Sequence, residues 1–335
     1  MDWNHDIDLT KRKFTSRLIV ERALERKWKI AGFKTNPAIF LVYVPGKAKP
    51  VKIYSAAPTQ MPYPAAKIAK DKFITNQLLA QENLPVPKEL LIDASADITD
   101  THLQAFLSEN SRVVVKPLDA SHGHGITTDI TLMEELKRAI DDARRYSEMI
   151  LVQQQIEGVD IRIVCIDYQF VDAISRIPAS VLGDGIHTVK ELIDITNNSG
   201  ERGENYSKRL NVIPPNRAAE YLGATRLASV PDVNEEVRVM GIANIGAGGI
   251  IQNIKHDIPE FLKKYAIEAA KTLELPVCGV DFMVRQLPVP SSKSADLKPS
   301  IIEVNECPML TMYDDRYSNE QSALIDLYLD YIAQS

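Results

Sequence analysis

Arg112-Val113-Val114-Val115-Lys116-Pro117-Leu118-Asp119-Ala120-Ser121-His122-Gly123-His124-Gly125-Ile126 decides how the chain is read. The β-branched run from Val113 to Val115 predicts a buried strand. Lys116 stands at its end. Pro117 has no N–H to donate and predicts that the ladder stops there. Ser121, Gly123 and Gly125 predict a tight loop whose backbone N–H groups can approach an anion. A strand ending in lysine, then a glycine loop, suits the phosphates of a nucleotide. The pattern is not a Walker loop, because no Gly-Lys-Ser/Thr follows, and the glycines are too few for a Rossmann fingerprint. Taken alone, it also reads as a lysine reaching solvent beside a hairpin. The rest of the chain has to decide.

Upstream, residues 12–28 set Phe14, Leu18, Val20 and Leu24 among charges and predict an amphipathic helix. Residues 38–44 and 51–54 predict two strands around Pro45-Gly46. Residues 56–64 carry three prolines and read as a linker. Residues 66–81 predict one helix that carries Asp71-Lys72, residues 90–92 a short strand, and 97–109 a further helix. Downstream, Thr131 and Glu134 predict a capping box for a helix to about residue 146. Residues 149–152 read as a buried strand and 153–158 as a connection. Residues 161–166 and 169–174 predict a hairpin around Asp167-Tyr168. A loop (178–185), a short helix (189–197) and an irregular stretch (198–217) follow. A strand (236–240), a glycine-rich turn (246–249) and a helix (259–273) come next. Strands at 277–284 and 300–305 flank an exposed loop at 288–299, and a last helix spans 319–333. This mixture predicts an α/β chain of the α+β kind. It divides into a small N-terminal α/β module (1–65) and two subdomains (66–152 and 153–335).

The 335 residues allow about two domains. The net charge of −6 gives no support to a general nucleic-acid binder. No apolar run approaches the ~20 residues of a membrane helix, and the polar start Met1-Asp2-Trp3-Asn4 is no secretory signal. Cys165, Cys278 and Cys307 form no paired motif, which fits a reducing, cytoplasmic setting.

Chemistry gathers at the far end, in Cys278-Gly279-Val280-Asp281-Phe282-Met283 and Ile301-Ile302-Glu303-Val304-Asn305. Residues two apart on a strand share a face, so Glu303 and Asn305 project together. Asp281, on the preceding strand, can face them across the pair. Three oxygen donors on one sheet face suit a hard cation such as Mg²⁺. The alternative is a solvated face.

With these residues the chain resembles the ATP-grasp ligases. Lys72 in Asp-Lys-Phe-Ile-Thr, Lys116 in Val-Val-Lys-Pro-Leu-Asp, the 119–126 loop, Asp281 and Glu303-x-Asn305 occur in that family's order. The run from Ser175 to Ile193, with Leu182-Gly183-Asp184-Gly185-Ile186-His187-Thr188, resembles the ATP-grasp part of cyanophycin synthetase and of the fused glutathione-synthesising enzymes. Ala243-Asn244-Ile245-Gly246-Ala247-Gly248-Gly249 resembles their Asn-Leu-Ser-x-Gly-Gly element. The likeness spans roughly residues 55–315. About the first 50 residues carry none, and neither a Mur-ligase-like half nor a glutamate–cysteine ligase half is present.

The resemblance implies an ATP-grasp fold, two α+β subdomains clasping a nucleotide. It implies an ADP-forming ligase that joins the carboxylate of an amino acid or peptide to an amine through an acyl phosphate. Lys72 and Lys116 would neutralise phosphate oxygens, and the loop at Ser121, His122, Gly123 and Gly125 would cover the phosphates. Gln153, Gln154 and Ile156 would line the adenine slot, and Asp160 would accept from the ribose. Arg162 and Arg176 would hold the γ-phosphate or a substrate carboxylate. Asn244, Gly248 and Gly249 would stabilise acyl-phosphate oxygens. Asp281, Glu303 and Asn305 would hold one or two Mg²⁺, with Mn²⁺ as a substitute. The implied partners are small amino-acid or peptide substrates, with no nucleic acid and no membrane; a homodimer stays open. His122 and His124 replace the Asn and Arg common in relatives. Glu306-Cys307-Pro308-Met309-Leu310 departs where relatives carry small residues and Gly, so no relative's substrate transfers. A phosphotransferase acting on a hydroxyl, or a non-catalytic nucleotide-binding module, are the competing readings.

Overall fold

The computed structural model describes residues 14–93, 99–118, 125–204, 210–241, 243–313 and 323–334. Helix α1 (Phe14–Glu25) leads into an antiparallel sheet of β1 (Lys29–Gly32), β2 (Ile39–Tyr43), β3 (Val51–Tyr54) and β4 (Ala57–Pro58). Phe40 and Val42 alternate with less buried neighbours on β2 and close against Ile19, Val20 and Ala23 of α1.

The single helix predicted over 66–81 is two helices, α2 (Tyr63–Lys70) and α3 (Lys72–Gln81). The break is at Asp71. Its backbone is extended (φ −91°, ψ 103°), and its carboxylate accepts from the Ile74 N–H at 2.9 Å. An aspartate that can cap a helix competes with continuing one. Lys72 thereby becomes the first residue of α3.

A second antiparallel sheet follows. Its strands are β5 (Glu89–Ile92), β6 (Val113–Pro117) and β7 (Thr127–Ile130), with α4 (Asp100–Asn110) between the first two. Helix α5 (Met133–Ala143) leads to β8 (Ile150–Gln154), and the spatial order is β5-β8-β6-β7. Leu103 and Leu107 of α4, and Leu136 and Ile140 of α5, bury against Val113, Val115 and Val152. Pro117 does not stop the ladder as expected. It lies opposite Ile150, and the Leu118 N–H still reaches the Met149 carbonyl at 2.9 Å. In an antiparallel pair alternate residues point their N–H away from the partner, and Pro117 holds such a position. The cap of α5 is also shifted: Glu135, not Glu134, accepts from the N–H groups of Thr131 and Leu132, each at 3.1 Å.

The third sheet begins with β9 (Val159–Ile166) and β10 (Gln169–Ile177), joined through Asp167 and Tyr168 at φ 52° and 57°, the left-handed pair a two-residue hairpin needs. A smaller lobe comes next. It holds β11 (Ser180–Leu182), α6 (Val189–Asn197), β12 (Arg202–Gly203), β13 (Leu210–Asn211), α7 (Pro215–Leu227) and β14 (Glu236–Arg238). The loop expected at 178–185 thus contains a strand, and the stretch expected to be irregular contains two short strands and the start of α7. β15 (Ile250–Asn253), α8 (Glu260–Thr272), β16 (Val277–Val284), α9 (Ser294–Leu297), β17 (Ser300–Asn305) and α10 (Leu324–Gln334) complete the chain. The loop expected at 288–299 is pinned by α9, whose Leu297 is fully buried.

The third sheet runs β15-β10-β9-β16-β17. One face carries Ile161, Ile163, Cys165, Cys278, Val280 and Phe282 and is covered by α8 through Leu262, Ala266 and Ala269. The other face is divided. Val164 and Ile166 meet α10 and the N-terminal sheet in a shared core. Asp160 and Arg162, at the other end of the same strand face, are left for chemistry.

Candidate active site

Strand register assembles the site. Asp160 lies opposite Arg176 on β10 and Met283 on β16; Arg162 lies opposite Asp281, and Asp281 opposite Glu303. Directly opposed residues in antiparallel strands share a face. Four strands therefore present Asp160, Arg162, Arg176, Asp281, Glu303 and, two residues on, Asn305 together. The β16–β17 register slips between Asp281/Glu303 and Phe282/Ile301, so Ile302 is the extra residue of a bulge beside the site. The sequence carries no signal for that bulge.

The charges pair closely. Arg162 donates from Nε to Asp281 Oδ1 at 2.5 Å and from Nη2 to Oδ2 at 2.6 Å. Arg176 donates to Asp160 Oδ1 from Nε at 2.9 Å and from Nη2 at 2.6 Å, and from Nη2 to Asp281 Oδ2 at 3.0 Å. Asn305 Nδ2 lies 3.4 Å from Asp281 Oδ2. Burial alone would raise the Asp281 carboxyl, but Arg162 and Arg176 outweigh it and hold it below the ordinary range. Burial pushes Asp160 up to about 6 despite Arg176.

The lysines join from the second sheet and α3. Lys72 Nζ lies 3.3 Å from Glu303 Oε1. Lys116 is buried and donates to Gln153 Oε1 at 2.9 Å; Gln153 donates in turn to Glu89, which also accepts from Asn76 at 2.5 Å. Burial pushes Lys116 down to about 8, opposed by Glu89, and pushes Glu89 up to about 7. Lys72 and Glu303 both act on the Lys116 charge. The two lysines, Asp281, Glu303 and Asn305 therefore form one continuous charged cluster. Asn76 and Glu89 were not anticipated, since an asparagine inside a helix and a glutamate next to a Pro-Val-Pro-Lys turn look like ordinary surface.

Beside the cluster is a cavity of about 590 Å³. Asp160, Arg162, Arg176, Asn244, Asp281, Glu303 and Asn305 line it, with Met283, Met309 and Met312. Asn244 Oδ1 accepts from the Gly246 N–H at 2.9 Å, so its amide N–H₂ remains a donor. The N–H groups of Gly248 and Gly249 already close the turn on the Ile245 and Asn244 carbonyls, each at 3.0 Å. Those glycines serve packing: a Cβ at Gly248 would lie 2.7 Å from Ile213 Cγ1, and one at Gly249 2.9 Å from the Ile177 carbonyl oxygen. The Gln154 N–H is also engaged, to the Lys88 carbonyl at 2.9 Å, and Ile156 lies in the link between β8 and β9. Gly125 turns the chain at φ 71°. Ser121, His122, Gly123 and His124 lie outside the described residues. Cys307 Sγ accepts from the Ala56 N–H at 3.4 Å, a structural contact.

Among the described residues no group of three His, Cys, Asp or Glu could hold a metal by itself. The available set is two carboxylates and an amide. Glu303 is half-buried at the cavity wall, and Asn305 donates through Nδ2, its amide oxygen taking no hydrogen bond among the described residues. Hard oxygen donors beside the two lysines fit Mg²⁺, which takes its remaining ligands from water or phosphate.

Two antiparallel sheets meeting at a cluster of lysines and carboxylates define an ATP-grasp fold, and comparison with solved structures agrees. A bifunctional glutathione synthetase from Pasteurella multocida superposes with a TM-score of 0.72 at 19% identity, over 98% of this chain and 45% of that one. A D-alanine–D-alanine ligase from Bacillus anthracis gives 0.51 at 15% identity, over 82% and 70%. The first of these likenesses takes in the N-terminal sheet, where the sequence resembled nothing. Residues 69–184 match the family model of the RimK-like ATP-grasp domain. The chain is 29% identical over 276 residues to the glutathione biosynthesis bifunctional protein of Listeria welshimeri, covering 81% of this chain and 34% of that one. It is 31% identical over 253 residues to cyanophycin synthetase of a Nostoc species, covering 74% and 27%. The chain thus spans about a third of the length of these curated relatives. No helix among the described residues is long and apolar enough to cross a membrane.

Proposed function

We propose that the protein is an ATP-dependent, ADP-forming ligase that joins a carboxylate of an amino acid or peptide to an amine. The observation that carries the reading is the convergence of Lys72, Lys116, Asp281, Glu303 and Asn305 beside one cavity that Arg162 and Arg176 also line. Lys72 and Lys116 serve as cations for nucleotide phosphates. Glu303 and Asn305, with Asp281 once an arginine releases one of its oxygens, would hold one or two Mg²⁺, which would supply further charge neutralisation at the transferring phosphoryl group. The substrate carboxylate oxygen bonds to the γ-phosphorus while the bond to the β-phosphate oxygen breaks and ADP leaves with the electron pair. The amine nitrogen then bonds to the carbonyl carbon, the carbon–oxygen bond to phosphate breaks, and the amine proton passes to solvent. Asn244 offers its amide to the oxygens that gain charge, and the buried arginines orient the carboxylates. The free, mostly buried cysteines suit a reducing compartment, and we place the protein in the cytoplasm.

The test is release of ADP and phosphate from Mg-ATP in the presence of paired amino acids and dipeptides. Amine-dependent release of both supports the ligase. ADP release driven by hydroxyl compounds, without free phosphate, would assign a phosphotransferase instead.

A further inference from the structure

The cavity has two chemically different ends. The charged end holds the carboxylates and cations described above, while Ala243, Ile245, Met309 and Met312 form an apolar wall. Arg162 joins them. Its Nε and Nη2 are engaged by Asp281, but Nη1 has only the Met312 Sδ at 3.9 Å among the described residues. A thioether is a weak acceptor, so this edge of a buried guanidinium is left to bind a carboxylate.

We propose, building on the ligase reading, that the amine substrate is an α-amino acid with an apolar side chain. Its carboxylate meets Arg162 Nη1, and its side chain lies against Met309 and Met312.

The charges argue against other acceptors. A cationic side chain would need a carboxylate with spare capacity. Asp160 already holds Arg176 through Oδ1, Asp281 holds both arginines and Asn305, and Glu303 holds Lys72, so a cationic side chain would have to compete with those cations. The next carboxylate along the chain, Glu306, is paired with Lys70 at 3.3 Å. An anionic side chain placed against Met309 and Met312 would meet only thioethers and hydrocarbon. Glycine would leave the wall facing water and gain nothing from it. Methionine is also the residue that adapts its shape to varied apolar partners, so leucine and methionine should both fit.

The experiment is phosphate release with Mg-ATP, each of the twenty amino acids being offered as amine against amino acids and dipeptides as the carboxylate, with the products sequenced by mass spectrometry. The C-terminal residue of each product is the amine substrate. Leucine or methionine is expected there, favoured at least tenfold in kcat/KM over arginine, aspartate and glycine, the scale an apolar pocket can reach. Met309→Gln, close in size and uncharged, should cut that preference several-fold. Met309→Glu should shift it toward arginine. A wild-type preference for arginine, aspartate or glycine overturns the proposal, as does an unchanged preference in both folded variants. Absence of release with every pair would overturn the ligase reading itself and this inference with it.

Discussion

Arg162 and Asp281 sit directly opposite each other on β9 and β16 and form a two-point ion pair in which both side chains are nearly inaccessible. Gly279 helps to seat it, since a Cβ there would already approach Arg162 Cδ to 3.4 Å. Asp281→Asn would leave one buried guanidinium without its anion and weaken the hold on Arg176. Removing one partner of a buried pair costs about 3–5 kcal/mol. Denaturant unfolding should show that loss, with turnover abolished. Leucine at both 162 and 281 should recover much of the stability and none of the turnover. Because the arginines hold Asp281 below its ordinary value of 3.8, the pair's contribution is complete above that pH and is lost as the pH falls below it.

Glu303 contrasts with Asp281. It is half-exposed, and its one ion pair, with Lys72, is partly solvated. Such pairs contribute under about 1 kcal/mol. Glu303→Ala should therefore leave the unfolding midpoint nearly unchanged and lower ADP formation by more than about 100-fold. Retained turnover would remove Glu303 from the metal site.

The Lys116–Gln153–Glu89 relay predicts a pH dependence. On the proposed reading Lys116 meets the nucleotide phosphates as an ammonium; burial brings its value to about 8, so ATP affinity should fall as pH rises through about 8. Glu89 holds that value up, and Glu89→Gln should move the fall to lower pH. Stability carries its own sign. Glu89 titrates at about 7 in the fold against an ordinary 4.5, so the native state binds the proton more tightly. Stability is then greatest below 4.5 and is lost as pH rises through about 7. Glu89→Gln should flatten that slope in thermal melts taken between pH 4.5 and 8.

These residues show what the sequence makes legible. Strand periodicity put Glu303 and Asn305 on one face, and the β16 and β17 boundaries agree with the expected ones because both strands are apolar runs bounded by prolines. The resemblance to ATP-grasp ligases marked both lysines. Asp71 splitting the helix was harder to see, because aspartate is compatible with a helix and with a cap until its partner N–H is known. Helix α7 starts at a proline and is interrupted by Gly223, which blurs its period. Glu89 was invisible for another reason. It is half-buried only because β5 pairs with β8 and sets it opposite Gln153, a long-range relation that local pattern does not encode.

Gly125 supplies the last prediction. Its φ of 71° costs an L-residue about 1–2 kcal/mol. A Cβ there would lie 2.7 Å from Tyr146 Cδ2 and 2.9 Å from Pro117 Cγ. The two obstacles differ. Tyr146 is exposed and its ring can swing away, whereas Pro117 is buried and fixed in β6 next to Lys116. Gly125→Ala should therefore displace the end of β6, raising KM for ATP several-fold and lowering the melting temperature. Adding Tyr146→Ala should recover only the part due to the ring, since the backbone strain and the Pro117 contact remain. Full recovery in the double variant would show that Pro117 and the φ angle carry no constraint, and that the glycine is needed only to clear the tyrosine.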